Sequence, residues 1–218
     1  MKNAAPLDNS IGAVFDLNLI LDDLLRKLSM NTKSKTLMVV ASLLLLLLFV
    51  SPLWKISLFA PQYPDGLKMY LNIDGISDGE TNDIANINIM NHYVGMKQIH
   101  EDDFKEFTYM PYIVVGLIVL GLLVTLIKKR SLILGWLVCI AVLGVLGLYI
   151  FYMWEYDYGH NLDPRAPIKI PGAAYQPPLI GTKKILNFTV HSYPHIGAFV
   201  IGISMAITSF AWVVGKKK

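Results

Sequence analysis

Apolar residues collect in four long runs, and the polar residues are swept into the segments between them. The runs are 36–53, 111–127, 132–153 and 196–214, the first centred on the unbroken leucines Leu43 to Leu48. A helix needs roughly 20 apolar residues to cross the hydrocarbon core of a bilayer, and each run approaches or exceeds that length. The pattern predicts an all-α integral membrane protein with four transmembrane helices. Two long segments, 54–110 and 154–195, then share one side of the membrane. A short turn, 128–131, joins the second and third helices on the other side. Residues 1–35 precede the first helix, and residues 215–218 form a tail.

The flanking segments have patterns of their own. In 1–35, Ile11, Val14, Phe15, Leu17, Leu21, Leu24, Leu25 and Leu28 recur at helical spacing, with Asp16, Asp22, Asp23, Arg26 and Lys27 between them. This predicts a short amphipathic helix lying on the inner membrane surface or against the spans, with Asn9 and Ser10 as caps. No small-residue cleavage pattern follows the first apolar run, so that run reads as an uncleaved anchor. In 54–110, residues 67–73 alternate well enough for a strand. Residues 82–94 fit a strand or a short helix, and 101–107 fit a helical turn. The segment therefore has the makings of a small α/β cap. In 154–195, Pro164, Pro167, Pro171, Pro177, Pro178 and Pro194 argue for an ordered but extended loop. That loop is expected to pack on the first one or on a partner.

Charge sets the orientation. Arg26, Lys27, Lys33 and Lys35 precede the first run, Lys128, Lys129 and Arg130 fill the short turn, and Lys216, Lys217 and Lys218 end the chain. Basic residues favour the cytoplasmic side, so both termini are expected inside and both long loops outside. A multi-pass membrane protein follows. Composition agrees: 54% of residues are hydrophobic and the mean hydropathy is +0.49. The net charge of +3 comes from membrane flanks, so no nucleic-acid partner is expected. The single cysteine, Cys139, excludes an intrachain disulfide and any multi-cysteine metal site.

Candidate chemistry concentrates in one stretch of the first long loop. Met90, His92 and Met96 lie within seven residues, and His100 follows. Imidazole with thioether suits copper, above all Cu(I), and suits calcium or magnesium poorly. Copper at His92 and Met96, completed by Met90, by His100 or by a histidine of the second loop, is the site expected. Against it stands the bland alternative that methionine near a membrane packs more often than it ligates. All five histidines, His92, His100, His160, His191 and His195, fall on the outer side. The pair His191 and His195 reads more readily as the polar start of the last helix than as a ligand pair. Asp163 before Pro164 is a turn signal whose acid could also orient a histidine. Catalytic signatures are lacking: there is no Gly-x-Ser-x-Gly, no His-Glu-x-x-His and no phosphate loop. The span interiors carry no ionisable residue of the kind that ion pathways use. An enzyme is not expected, and a haem-dependent quinol oxidase subunit ranks lowest.

Two strings carry a resemblance. One is 71–96, ending in Asn91-His92-Tyr93-Val94-Gly95-Met96. The other runs from Tyr158-Gly159-His160-Asn161-Leu162-Asp163-Pro164 through Tyr175-Gln176-Pro177-Pro178 to Asn187-Phe188-Thr189-Val190-His191-Ser192-Tyr193-Pro194. They resemble small polytopic membrane proteins encoded beside clade II nitrous oxide reductase in bacteria of the Bacteroidetes type. The resemblance implies a multi-pass accessory in the bacterial inner membrane, serving a periplasmic copper enzyme of nitrous oxide respiration. Such a protein would bind copper, or would dock the enzyme, its electron donor or other membrane subunits on its outer loops. It assigns no functional residue. The alternative is a structural scaffold or complex subunit with no ligand.

Overall fold

The computed structural model describes residues 30–170, 172 and 174–215. The expected amphipathic helix of 1–35 falls almost entirely outside these residues. Four helices are long and apolar enough to cross a membrane: Thr32–Phe49, Glu106–Ile127, Arg130–His160 and Ile196–Val214. The first consists of an α-helix, α1 (Thr32–Leu44), that tightens into a 3₁₀ turn (Leu45–Phe49). A shorter helix, α2 (Asp83–Val94), lies in the first long segment, and the remaining spans are α3 (Glu106–Ile127), α4 (Arg130–His160) and α5 (Ile196–Val214).

The all-α expectation is overturned by a five-stranded antiparallel sheet, which makes the fold mixed α/β. Its strands are β1 (Trp54–Ala60), β2 (Tyr63–Leu71), β3 (Ile76–Asp78), β4 (Gly181–Ile185) and β5 (Phe188–Pro194), in the order β3-β2-β1-β5-β4. Three strands come from the first long segment and two from the second. The join is β1 with β5, which pairs Trp54 with Pro194 and Phe59 with Thr189. Two features concealed these strands. β1 starts directly after an apolar run, so Trp54 reads as a membrane-interface ring. In the second segment the prolines precede residue 181 or end β5, and 181–193 contains none. Proline bars regular structure only where it falls, because it lacks the N–H of that one position. Residues 82–94, ambiguous by period, are helical.

The sheet sits at one end of the helices. At the other end α1, the α3–α4 turn and the end of α5 meet. The Met30 N–H donates to the Lys128 carbonyl at 2.8 Å, and the Asn31 side chain donates to the Val214 carbonyl at 2.5 Å. Arg130 Nε donates to the Trp212 carbonyl at 2.8 Å while its guanidinium stacks over that ring. The basic residues Lys33, Lys35, Lys128, Lys129 and Arg130 are therefore gathered at the end opposite the sheet.

Between the two ends the bundle is held by close contact and by hydroxyls. Ser34 Oγ donates to the Ala211 carbonyl, Ser204 Oγ to Ala41 and Ser42 Oγ to Met38, all between 2.7 and 2.8 Å. The first two join α1 to α5 and the third lies within α1; each satisfies a buried donor that an apolar bundle would otherwise leave without a partner. Glycines contribute less than their number suggests. A Cβ at Gly121 would lie 2.1 Å from Ser42 Oγ, and one at Gly197 would meet the Pro52 carbonyl at 2.9 Å. Gly116, Gly144, Gly147 and Gly202 face open space. The outward faces carry exposed apolar residues, among them Val119, Leu126, Val145, Phe199 and Phe210.

α4 positions the site. Its 31 residues extend about 46 Å at 1.5 Å each, against a hydrocarbon thickness of about 30 Å. Its apolar run ends at Met153. Residues 154–160 continue beyond the spanning part and pack beneath the sheet.

Candidate ligand cavity in the cap

One face of the sheet, with α2 and the end of α4, encloses a hydrophobic core. Trp54, Ile56, Leu67, Met69, Ile87, Met90, Tyr158, Tyr175 and Val190 are its buried members. Strand alternation puts Trp54, Ile56 and Leu58 of β1 on this face, with their partners Leu71, Met69 and Leu67 of β2. Trp54 ties sheet to helix: its Nε1 donates to Ser192 Oγ at 2.8 Å, and its ring meets Phe151 edge-on at 5.4 Å. Gly159 lets the chain at Tyr175 and Gln176 cross α4, since a Cβ there would fall 2.3 Å from the Gln176 backbone. The Tyr175 N–H donates to the Gly159 carbonyl at 2.8 Å, which places Tyr175 over the core.

Within this core lies a cavity of about 70 Å³. Its walls are almost wholly apolar and include Met69, Met90 and Met96. Glu155 also lines it. Glu155 is 1% exposed, and neither of its oxygens has a hydrogen-bond partner. Desolvation raises its pKa from 4.5 to about 8, with the positive charge of Lys183 opposing the rise. Burial disfavours the ionised form because the core cannot replace its hydration. The adjacent Trp154 Nε1 is also buried without a partner. The contrast with Asp83 is direct. That carboxyl is 4% exposed, but its Oδ2 accepts the backbone N–H groups of Lys68 at 3.0 Å and Glu80 at 2.8 Å. Asp83 fastens α2 to the sheet, whereas Glu155 fastens nothing.

A groove outside the cavity shares the walls Met90, Val94, Leu186 and Phe188 with it. The groove opens past Gln62, whose Nε2 donates to the Met90 sulfur at 3.8 Å.

The four residues marked in the sequence divide between inside and outside. Met90 is 5% exposed and Met96 half-buried, and both line the cavity. His92 is exposed on α2, beside the Tyr93 ring. His100 is exposed and contacts the Gln98 side chain at 3.2 Å. Met90 and His92 diverge because α2 is a helix, in which residues two apart face different ways. The helix stops at Gly95, so the four-residue spacing of His92 and Met96 does not place them on one helical face. Among the described residues no three His, Cys, Asp or Glu side chains form a cluster able to hold a metal ion.

The other histidines are dispersed. His191 lies on the opposite face of the sheet, its Nδ1 2.7 Å from Thr182 Oγ1, while His195 caps α5. His160 stacks on Tyr156 at 3.9 Å. Asp163 pairs with Arg165 at 3.2 Å rather than with His160. Hydrogen bonds from Arg165, with a smaller effect of His92, hold the Asp163 carboxyl below its ordinary range.

Met69 and Glu155 carry no local mark in the sequence. Met69 lies on a strand predicted at 67–73, whose alternation aims it inward. Glu155, in Trp154-Glu155-Tyr156-Asp157, reads as the polar end of a span. No protein-family model matches the chain, and no curated protein matches it.

Proposed function

We propose that the protein is an inner-membrane accessory protein that holds copper in its cap on behalf of a periplasmic copper enzyme. The observation that carries this reading is the cavity: three methionines line one apolar space with a glutamate whose carboxyl has no partner. Thioether sulfur selects soft ions, and Cu(I) is the common one. The four candidate spans and the basic residues gathered opposite the sheet support a cap on the outer side, by the preference of lysine and arginine for the cytoplasm. The choice of partner, a copper enzyme of nitrous oxide respiration, rests on the resemblance of 71–96 and 158–194 alone.

The test is a competition for Cu(I) between the detergent-purified full chain and a chromophoric chelator. One equivalent bound tightly is the expected result. If the wild-type protein takes no copper from the chelator, the copper reading fails. A second reading would then stand, a docking scaffold without ligand, favoured by the exposed apolar residues Ile89, Tyr93, Ile168 and Leu186 along the groove.

A further inference from the structure

We propose that the cap cavity is itself a binding site for one soft monovalent cation, Cu(I), held by the sulfurs of Met69, Met90 and Met96 and by the carboxylate of Glu155. The assignment rests on the copper reading above, and it replaces the histidine ligands expected from the sequence with a different set.

Four separate stretches of chain supply the ligands: β2, α2, the turn after α2, and the end of α4. Only the closed sheet brings them to one space. Charge decides the class of ion. Thioethers are neutral, and Glu155, once an entering cation displaces its proton, supplies the one negative charge inside the core, opposed in part by the exposed Lys183 outside it, so a monovalent cation adds the least charge to the core. A divalent ion would leave one uncompensated charge in an apolar core, at a cost that such a core does not tolerate. Calcium and magnesium would also lack the six or more oxygens they require. Glu155 is the feature that packing alone does not explain. Methionine fills irregular apolar gaps without any ligand, but a buried acid with two unpartnered oxygens weakens a core unless something binds to it. Access is provided from outside. The groove shares Met90 with the cavity, and on the groove side the Gln62 amide contacts the Met90 sulfur at 3.8 Å.

The decisive experiment compares four forms of the full chain in detergent, titrated with Cu(I) against the chromophoric chelator. The forms are wild type, the Met90→Leu, Met96→Leu double variant, Glu155→Gln, and the His92→Ala, His100→Ala double variant. Leucine nearly conserves the methionine volume, so the core stays filled. Near-ultraviolet circular dichroism checks that the aromatic core around Trp54 and Trp154 is intact. The expected result is a loss of affinity of roughly tenfold or more in the leucine double variant and in Glu155→Gln, with none in the histidine variant. Silver(I) should compete with copper, and zinc should not. X-ray absorption of the wild-type copper complex should show sulfur neighbours and no imidazole. That measurement decides the matter even where a variant fails to fold. Copper bound through imidazole, or binding lost only in the histidine variant, overturns this site but leaves the proposed function standing. Failure of the wild-type chain to bind copper overturns both.

Discussion

The bundle and the cap treat their buried polar groups in opposite ways. In the bundle Ser34, Ser42, Ser204 and Thr208 are fully buried, and each hydroxyl donates to a backbone carbonyl. The buried Trp136 donates to the Leu117 carbonyl at 2.8 Å. In the cap and at its rim, Trp154 Nε1, both Glu155 oxygens and His195 Nδ1 are buried without a partner. A bilayer enforces satisfaction, because no water can enter to replace a missing bond. A cap in water is under a weaker constraint and can leave polar groups open, at a cost of about 1–3 kcal/mol for each. The lesson is where to look for function. The spans are finished as structure, and the open polar groups lie in the cap.

The largest test of this division is Trp54→Ala. It removes the ring that joins the sheet to Phe151 and Ser192, and a buried aromatic truncated to alanine costs about 3–5 kcal/mol. The cap is expected to lose its near-ultraviolet dichroism while the helical far-ultraviolet signal of the spans persists. Joint loss of both signals would show that cap and bundle form one cooperative unit and are not separable regions.

A smaller effect is expected within the bundle. Gly121→Val forces a side chain against Ser42 and should destabilise the bundle by about 1–3 kcal/mol. Gly144→Val, at a position with nothing within 4 Å, should be close to neutral. Thermal unfolding in a single detergent ranks the two. Equal effects would mean that the α1–α3 contact at Gly121 does not govern packing.

Glu155→Gln sharpens the contrast by pH. The folded-state pKa of Glu155 is about 8, above its ordinary 4.5. Folding at neutral pH therefore takes up a proton at this site. Stability from this group is fully present below the unfolded value and is lost as pH rises toward the folded one. The cap of the wild type is expected to melt lower at about pH 9 than at about pH 5, and Glu155→Gln should flatten that difference. An unchanged slope in the variant would remove Glu155 from the account.

The smallest effect belongs to Lys97→Ala. The Lys97–Asp157 pair, at 2.6 Å, links the first long segment to the end of α4 on an exposed surface. That pair lowers the Asp157 pKa, yet exposed ion pairs contribute under about 1 kcal/mol. A much larger loss of stability would mean that this link organises the cap.

The four helices long and apolar enough to cross a membrane were readable from the chain because that is a local property, about 20 apolar residues in a row. The strand expected at 67–73 was found as β2, since two-residue alternation is also local. Beyond that range the signals weaken. β1 and β5 pair across more than a hundred residues, and neither shows its partner in its own pattern. The thioethers of Met90 and Met96 were marked by composition, but His92, marked with them, turns outward once 82–94 resolves as a helix. Met69 and Glu155 gain significance only from what closes around them. Local composition fixes which segments enter a membrane. Which side chains meet in the cap depends on a sheet assembled from distant strands, because each strand satisfies its backbone only in the presence of the other.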